Sequence, residues 1–202
     1  IVHPSEIMSV KGAAVNDFTL FHWRKVFMDG ERSLKLFYLP LWNTVQVSLY
    51  SSIIAIVLGG AVAWLVARSN MRFKKFVSVV FIFPYIMPSW TLAMAWLNFF
   101  RNRLVGGAPG LFTALTGIAT PNWFAYGMFP TSIVLGLHYS PFAYILIGGI
   151  LRNMDANLEE AAMILKASRA KILARINLPI VMPAILSTFL LVFSSSMSAF
   201  AV

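Results

Sequence analysis

Two adjacent carboxylates, Glu159 and Glu160, head the most charged stretch in the second half of the chain. Ala161 and Ala162 follow, then Met163, Ile164, Leu165 and Lys166; Arg169, Lys171 and Arg175 precede Ile176, Asn177, Leu178 and Pro179. A carboxylate beside a thin apolar strip can pair with a cation on a partner, which is docking chemistry and not catalysis. His138 is the one residue inside the apolar segments that readily carries charge near neutral pH. It can gate, bind a substrate or relay protons, and it can equally be a packing histidine near an interface. Ser89, Ser194 and Ser195 can line a polar path, although serines also bond to their own helix carbonyls. The chain has no cysteine. It also has no carboxylate pair within the apolar segments, no His cluster at metal-binding spacing and no G-x-x-x-x-G-K-[ST] phosphate loop. No catalytic, metal-binding or cofactor-binding residue is therefore expected in this chain.

The elements that hold these residues belong to a membrane. Of 202 residues, 59% are hydrophobic and only 11% charged, and the mean hydropathy is +0.77. A soluble domain carries about 25% charged residues, so this chain lacks the polar surface to cover a water-soluble globule. The formal net charge is +9, but the charges flank apolar runs instead of forming a stripe, which argues against nucleic acid. The chain opens on Ile1 and closes at Ala201-Val202 inside an apolar run, and a fragment of a longer polytopic protein is the expectation.

Four segments have a length near the roughly 20 residues that a spanning helix needs: about 43–67, 76–100, 127–151 and 180–202. Arg68, Arg72, Lys74 and Lys75 lie between the first and second. Arg152, Lys166, Arg169, Lys171 and Arg175 lie between the third and fourth, whereas only Arg101 and Arg103 separate the second and third. The excess of Lys and Arg places the first and third loops in the cytoplasm and residues 1–42 and 101–126 outside. An outside N-terminal segment implies at least one further helix upstream. Residues 1–42 read as an external amphipathic segment, with Phe18, Leu20, Phe21, Trp23 and Phe27 among Asp17, His22, Arg24 and Lys25. Residues 43–202 read as the membrane core. In the 101–126 loop a Gly-Pro turn signal at 106–110 precedes Trp123 and Tyr126.

Pro84 and Pro88 fall within the second span, Pro130 and Pro141 within the third and Pro183 early in the fourth. Each removes a backbone donor, and kinks at these depths suit protein contacts or a watery cavity. Gly59-Gly60 with Ala55 and Ala63, and Gly148-Gly149, give the first and third spans small-residue faces for close packing. A kinked bundle around a pathway and ordinary polytopic packing both account for this pattern. The fold class expected is all-α, a polytopic transmembrane helix bundle with a cytoplasmic helix-turn-helix.

In that hairpin Asp155 can cap the first helix, and Glu159 and Glu160 fall near its first turn, where the macrodipole favours negative charge. Met154, Leu158, Ala161, Ala162 and Leu165 form one apolar stripe. Ser168 can cap a second short helix, which Pro179 is expected to end. Periodicity accommodates both a hairpin lying on its own bundle and a docking element led by Glu160.

The pattern Glu160-Ala161-Ala162, three residues, position 166, nine residues and Ile176-Asn177-Leu178-Pro179 resembles the cytoplasmic loop of permease subunits of binding-protein-dependent ABC importers of the type I fold. The resemblance covers about residues 40–202. One departure is Lys166, where the family usually has glycine, so either a strained turn or a different turn geometry is expected. The segments Pro40-Leu41-Trp42-Asn43-Thr44 and Pro84-Tyr85-Ile86-Met87-Pro88-Ser89 look most like the ferric-iron-type branch; the polyamine and phosphonate branches look similar.

The resemblance implies five core helices, of which this chain holds four, with the fifth after Val202. It implies that Glu159, Glu160, Ala161, Ala162, Leu165, Lys166, Ile176, Leu178 and Pro179 form the loop that seats in an ABC ATPase subunit. It further implies an ATPase dimer that binds ATP, an external substrate-binding protein, a second permease subunit or half, and a location in a bacterial-type inner membrane as a multi-pass protein. The rival readings are an ion-coupled secondary transporter, which would place ionisable residues at mid-membrane depth, and a purely structural membrane subunit.

Overall fold

The computed structural model describes residues 20–103, 107–155 and 157–199. Among them the secondary structure is helical, with no strand. The chain divides into two compact units, Ile1–Val45 and Gln46–Val202.

The first unit carries α1 (Phe21–Phe27), α2 (Glu31–Ser33), a π-helical turn (Leu34–Tyr38) and the start of α3 (Leu39–Arg68). Trp23 stacks on Phe27 with ring centroids 5.5 Å apart. The Ser33 hydroxyl accepts the Asp29 N–H at 2.7 Å. Helical structure thus runs unbroken from Glu31 to Arg68, starting well before the expected onset near residue 43. The π turn absorbs a register change without ending the helix. Several residues of the expected amphipathic segment, Phe18 among them, lie outside the described residues.

In the second unit α3 continues to Arg68 and is followed by α4 (Lys74–Ile86), α5 (Ser89–Phe100), α6 (Leu111–Thr116), α7 (Asn122–Ala125) and α8 (Met128–Asn153). Then come α9 (Asn157–Ile164), α10 (Arg169–Ile172), a second π turn (Leu173–Asn177) and α11 (Leu178–Met197). Three helical stretches among the described residues are long and apolar enough to cross a membrane: Glu31–Arg68, Asn122–Asn153 and Arg169–Met197. The second expected span is instead a bent pair, α4 and α5, which meet at 97°. It counts as a fourth span only if the broken pair is taken together. Pro88 disfavours helical geometry at Met87, and Met87 and Pro88 both adopt extended backbone, with ψ of 139° and 141°.

Close packing of α3 on α8 organises the core. A Cβ on Gly59 would stand 2.3 Å from the Ser140 carbonyl oxygen, and one on Gly136 would stand 2.6 Å from Ile54. Ala55, Ala63 and Ala143 are buried along the same seam, and the Ser51 hydroxyl donates to the Ser132 carbonyl at 3.3 Å. Lipid offers helices no hydrophobic drive to associate, so contact area and hydrogen bonds do that work. Gly149 lies off this contact, since a Cβ there would meet nothing within 4 Å, and a Cβ on Gly60 would make only ordinary contact with Ile147 of α8 at 3.5 Å. The Tyr144 hydroxyl donates to Ser78 Oγ at 2.6 Å, tying α8 to α4, and Phe81 meets the Tyr144 ring edge-on at 5.7 Å.

Side-chain hydrogen bonds tie together the described residues of the 101–126 connection. Asn102 Nδ2 donates to the Thr120 carbonyl at 3.0 Å and to Asn122 Oδ1 at 2.6 Å. Trp96 Nε1 donates to the Phe124 carbonyl at 3.2 Å, within a cluster of Trp96, Phe100 and Phe124 rings.

Candidate functional site: the Glu159–Glu160 hairpin

The hairpin begins where α8 ends. Asp155 Oδ1 accepts the Asn157 N–H at 3.0 Å and Oδ2 accepts from Asn157 Nδ2 at 3.3 Å, a local cap that satisfies an otherwise orphaned N–H. Glu159 and Glu160 occupy the first turn of α9. Successive helical positions point about 100° apart, so the two carboxylates part company. Glu159 Oε1 lies 3.2 Å from Arg68 Nε, with the side chains only 15% and 13% exposed. The Nε–H does not point at the carboxylate, and both atoms lack an aligned hydrogen bond; the contact is a charge pair. The same arginine donates through Nη2 to the Met154 carbonyl at 3.0 Å. Arg68, at the end of α3, thereby holds both the end of α8 and the first turn of α9. Glu160 is exposed and forms no ion pair among the described residues.

The rest of the hairpin also faces two ways. Leu158, Ala161 and Leu165 are exposed, whereas Met154 and Ala162 are half-buried. Ile164 and Leu165 are 81% and 82% exposed, so α9 turns large apolar side chains away from its own bundle. Ile172 and Asn177 anchor the opposite side, both buried. Ile176 is half-buried, and Leu178 and Pro179 are exposed.

The turn answers the question posed by Lys166. Its φ is +58°, and Lys166 is the sole non-glycine at positive φ among the described residues. The Lys166 N–H donates to the Met163 carbonyl at 2.9 Å and the Ala167 N–H to the Ala162 carbonyl at 3.0 Å. This pair of bonds is the Schellman arrangement that usually recruits glycine. The turn keeps that geometry and places a lysine in the strained position. Ser168 then caps α10, its hydroxyl accepting the Lys171 N–H at 3.4 Å.

Pro179 does not end the second helix, contrary to expectation. Helical structure runs from Arg169 to Met197. The π turn before it carries a bond from the Leu178 N–H to the Leu173 carbonyl, and Pro179 sits in the first positions of α11.

Among the candidate pathway residues, His138 and Ser195 are bridged by Tyr139, whose ring packs on His138 at 4.8 Å and whose hydroxyl donates to the Ser195 carbonyl at 3.4 Å. His138 is 8% exposed, and its Nδ1 lies 3.1 Å from the Pro84 carbonyl. A carbonyl only accepts, so Nδ1 carries the proton. In an unbroken helix that carbonyl would bond the N–H of residue 88, which proline lacks; the imidazole fills the gap. Sequence reasoning named both prolines and His138 without joining them. Ser89 is half-buried at the start of α5, Ser194 is exposed and Ser195 is half-buried. No hydrogen bond among the described residues joins Ser89 to His138, or either to Ser194 or Ser195. Arg68 is the site residue that sequence reasoning counted only as a topology charge. A lone arginine closing an apolar span, opposite a Glu-Glu pair, was the available signal.

Residues 52–202 match the family described as binding-protein-dependent transport system inner membrane component. A probable sulfate transport system permease protein of Helicosporidium sp. subsp. Simulium jonesii is 29% identical over 161 residues, covering 78% of this chain and 56% of the relative. A putative ferric transport system permease protein of Haemophilus influenzae is 27% identical over 163 residues, covering 78% of this chain and 24% of the relative. A spermidine/putrescine transport system permease protein of Escherichia coli is 27% identical over 171 residues, covering 82% of this chain and 59% of the relative. The chain thus spans between a quarter and three fifths of the length of these relatives. With the family pattern matched from α3 to the end of the chain, this all-α, multi-pass membrane protein belongs to the permease family of binding-protein-dependent ABC importers.

Proposed function

We propose that the chain forms part of the substrate pathway of an ATP-driven importer and takes its power stroke through α9. The observation that carries this reading is the division of labour on that helix. Glu159 is tied back to Arg68, while Glu160 and the Leu158, Ile164 and Leu165 side chains face outward. A hairpin lying on its own bundle would bury those apolar groups, whereas a hairpin awaiting a partner leaves them open. On this reading an ABC ATPase dimer receives α9, Glu160 pairs with a cation in its cleft, and ATP binds to that partner. A substrate-binding protein docks outside, a second permease subunit or half completes the pathway, and the assembly resides in a bacterial-type inner membrane.

Closure of the ATPase pushes on α9. Arg68 passes the displacement to the ends of α3 and α8, and the α10–α11 run carries it into the fourth span. Ferric iron is the substrate we place first, on the Pro40–Thr44 and Pro84–Ser89 segments and the ferric relative. A polyamine or phosphonate is the second reading, and the spermidine/putrescine relative favours the polyamine.

The test uses the full-length protein in membranes with its ATPase subunit, comparing native α9 with Glu160→Arg. Charge reversal should release the ATPase or uncouple its activity from transport. Retention of the ATPase with unchanged coupling would refute the role of Glu160. Transport that persists without the ATPase and collapses with the proton or sodium gradient would establish the ion-coupled rival instead.

A further inference from the structure

Two cavities adjoin where the lower part of α3 meets α8 and the 169–185 helical run. One is apolar, about 580 Å³, with Ala61, Leu65, Leu173 and Val181 in its walls. The other, about 350 Å³, opens between the end of α3 and the hairpin and is walled by Arg68, Asn70, Glu159 and Arg169. Trp64 and Asn177 line both. Both volumes lie within the range of small-molecule sites.

The polar end is underused by the protein itself. Trp64 Nε1 and Asn177 Oδ1 are buried without a hydrogen-bond partner, and Asn177 is only 3% exposed. Native structures rarely leave such groups unpaired. Glu159 and Arg68 neutralise one another. Arg169 makes no ion pair among the described residues, so the polar end carries net positive charge. By the distribution of Lys and Arg it also lies at the cytoplasmic face of the bilayer. An apolar helix filling the groove would cover Trp64 and Asn177 without satisfying them and would leave Arg169 unmatched. A molecule with a negative head that also bears a hydroxyl donor, and with a hydrocarbon tail, meets every wall: the anion suits Arg169 and Trp64 Nε1, and the hydroxyl suits Asn177 Oδ1.

We propose that this paired cavity is a binding site for an anionic phospholipid of the cytoplasmic leaflet. The phosphodiester lies against Arg169 and accepts from Trp64 Nε1, a headgroup hydroxyl donates to Asn177 Oδ1, and an acyl chain runs along α3 and α11 past Ala61 and Val181. Basic pockets between transmembrane helices on the cytoplasmic side suit such headgroups. The site does not depend on the transport reading, since it requires only the helices and their orientation.

The full-length permease, reconstituted in nanodiscs of phosphatidylcholine with phosphatidylglycerol, is extracted in mild detergent and its retained lipid identified by native mass spectrometry. Phosphatidylglycerol should be retained in preference to phosphatidylcholine, and millimolar inorganic phosphate should not displace it. Arg169→Gln should lower the preference about fivefold, as expected for one basic residue near an anionic surface. Ala61→Trp, which fills the apolar end and leaves the polar end intact, should abolish retention of both lipids. Thermal melting in detergent confirms that each variant is folded, and if Arg169→Gln does not fold, the Ala61→Trp result decides. Equal retention of the two lipids, displacement by free phosphate, or retention unaffected by Ala61→Trp would each overturn the proposal. So would a photo-crosslinker at position 61 that captures a polypeptide segment instead of lipid.

Discussion

Replacing Arg68 with alanine should free α9 from the bundle while leaving the spans folded. The variant loses the 3.0 Å charge-assisted bond to the Met154 carbonyl, worth about 1.5–3 kcal/mol. It also strands Glu159, which is 15% exposed, at a cost of about 1–3 kcal/mol for an unpaired and largely dehydrated group. The sum falls near the about 3–5 kcal/mol typical of breaking a buried pair. The lower end applies, because water reaches both side chains and the Nε–H is not aligned on the carboxylate. A local loss of about 3 kcal/mol corresponds to about 100-fold. Hydrogen exchange of the full-length protein in nanodiscs should show amides of 157–165 exchanging about 100-fold faster, with amides of 130–150 in α8 unchanged. Arg68→Lys keeps the charge but cannot both bond the Met154 carbonyl and lie beside Glu159 with a planar fork and should fall between. A rise of less than about threefold in Arg68→Ala, or strictly additive effects of Arg68→Ala and Glu159→Gln in a double-mutant cycle, would refute the clamp.

Lys166→Gly should relieve the positive φ of 58° and stabilise the turn by about 1 kcal/mol, seen as about fivefold slower exchange of the Ala167 and Lys166 amides. Gly59→Ala should lower detergent stability relative to Gly149→Ala by about 1–3 kcal/mol. Both gain the same helix propensity, but only the first drives a Cβ into the Ser140 carbonyl; equal melting of the two would refute close α3–α8 packing. His138→Phe should leave the Pro84 carbonyl unpaired and cost about 1–3 kcal/mol. Introducing Pro88→Ala as well should recover part of that, because residue 88 then supplies its own N–H; a melting series of the two single variants and the double variant reads this directly.

The sequence reading and the structure agree where the signal is local or periodic. The apolar runs, the small-residue seam of Ala55, Gly59 and Ala63, the Ser168 cap and the tension at position 166 all follow from neighbours within a few residues. The differences have a common cause in contacts that the local pattern does not encode. The 97° bend between α4 and α5 depends on how far Pro88 opens the chain. His138, 54 positions from Pro84 in the chain, supplies the bond that lets the break persist. The early start of the first long helix and the passage through Pro179 both depend on π turns, which leave the apolar periodicity almost unchanged. Glu159 and Glu160 are chemically identical neighbours. Only the position of Arg68, whose hydrogen-bond acceptor lies 86 positions from it, tells the inward carboxylate from the outward one.

The geometry of that arginine bears on how force would cross the hairpin. A helix held to the bundle only by its two chain connections would pivot when pushed, and little displacement would reach the spans. Arg68 adds a third attachment, at the first turn of α9, and Ile172 and Asn177 bury the far side of the hairpin. A push on the outward face of α9 then meets α3 and α8 at one end and the start of α11 at the other. The strained Lys166 turn lies between these anchors, and it is the place where the two arms of the hairpin can change angle. If the proposed coupling holds, relieving the strain of that turn with Lys166→Gly and loosening the clamp with Arg68→Ala should have opposite effects. The first should leave ATPase-linked transport intact or tighten it. The second should preserve ATPase binding through Glu160 while lowering transport per ATP hydrolysed. Loss of binding itself in Arg68→Ala would mean that the arginine shapes the docking surface and does not transmit through it.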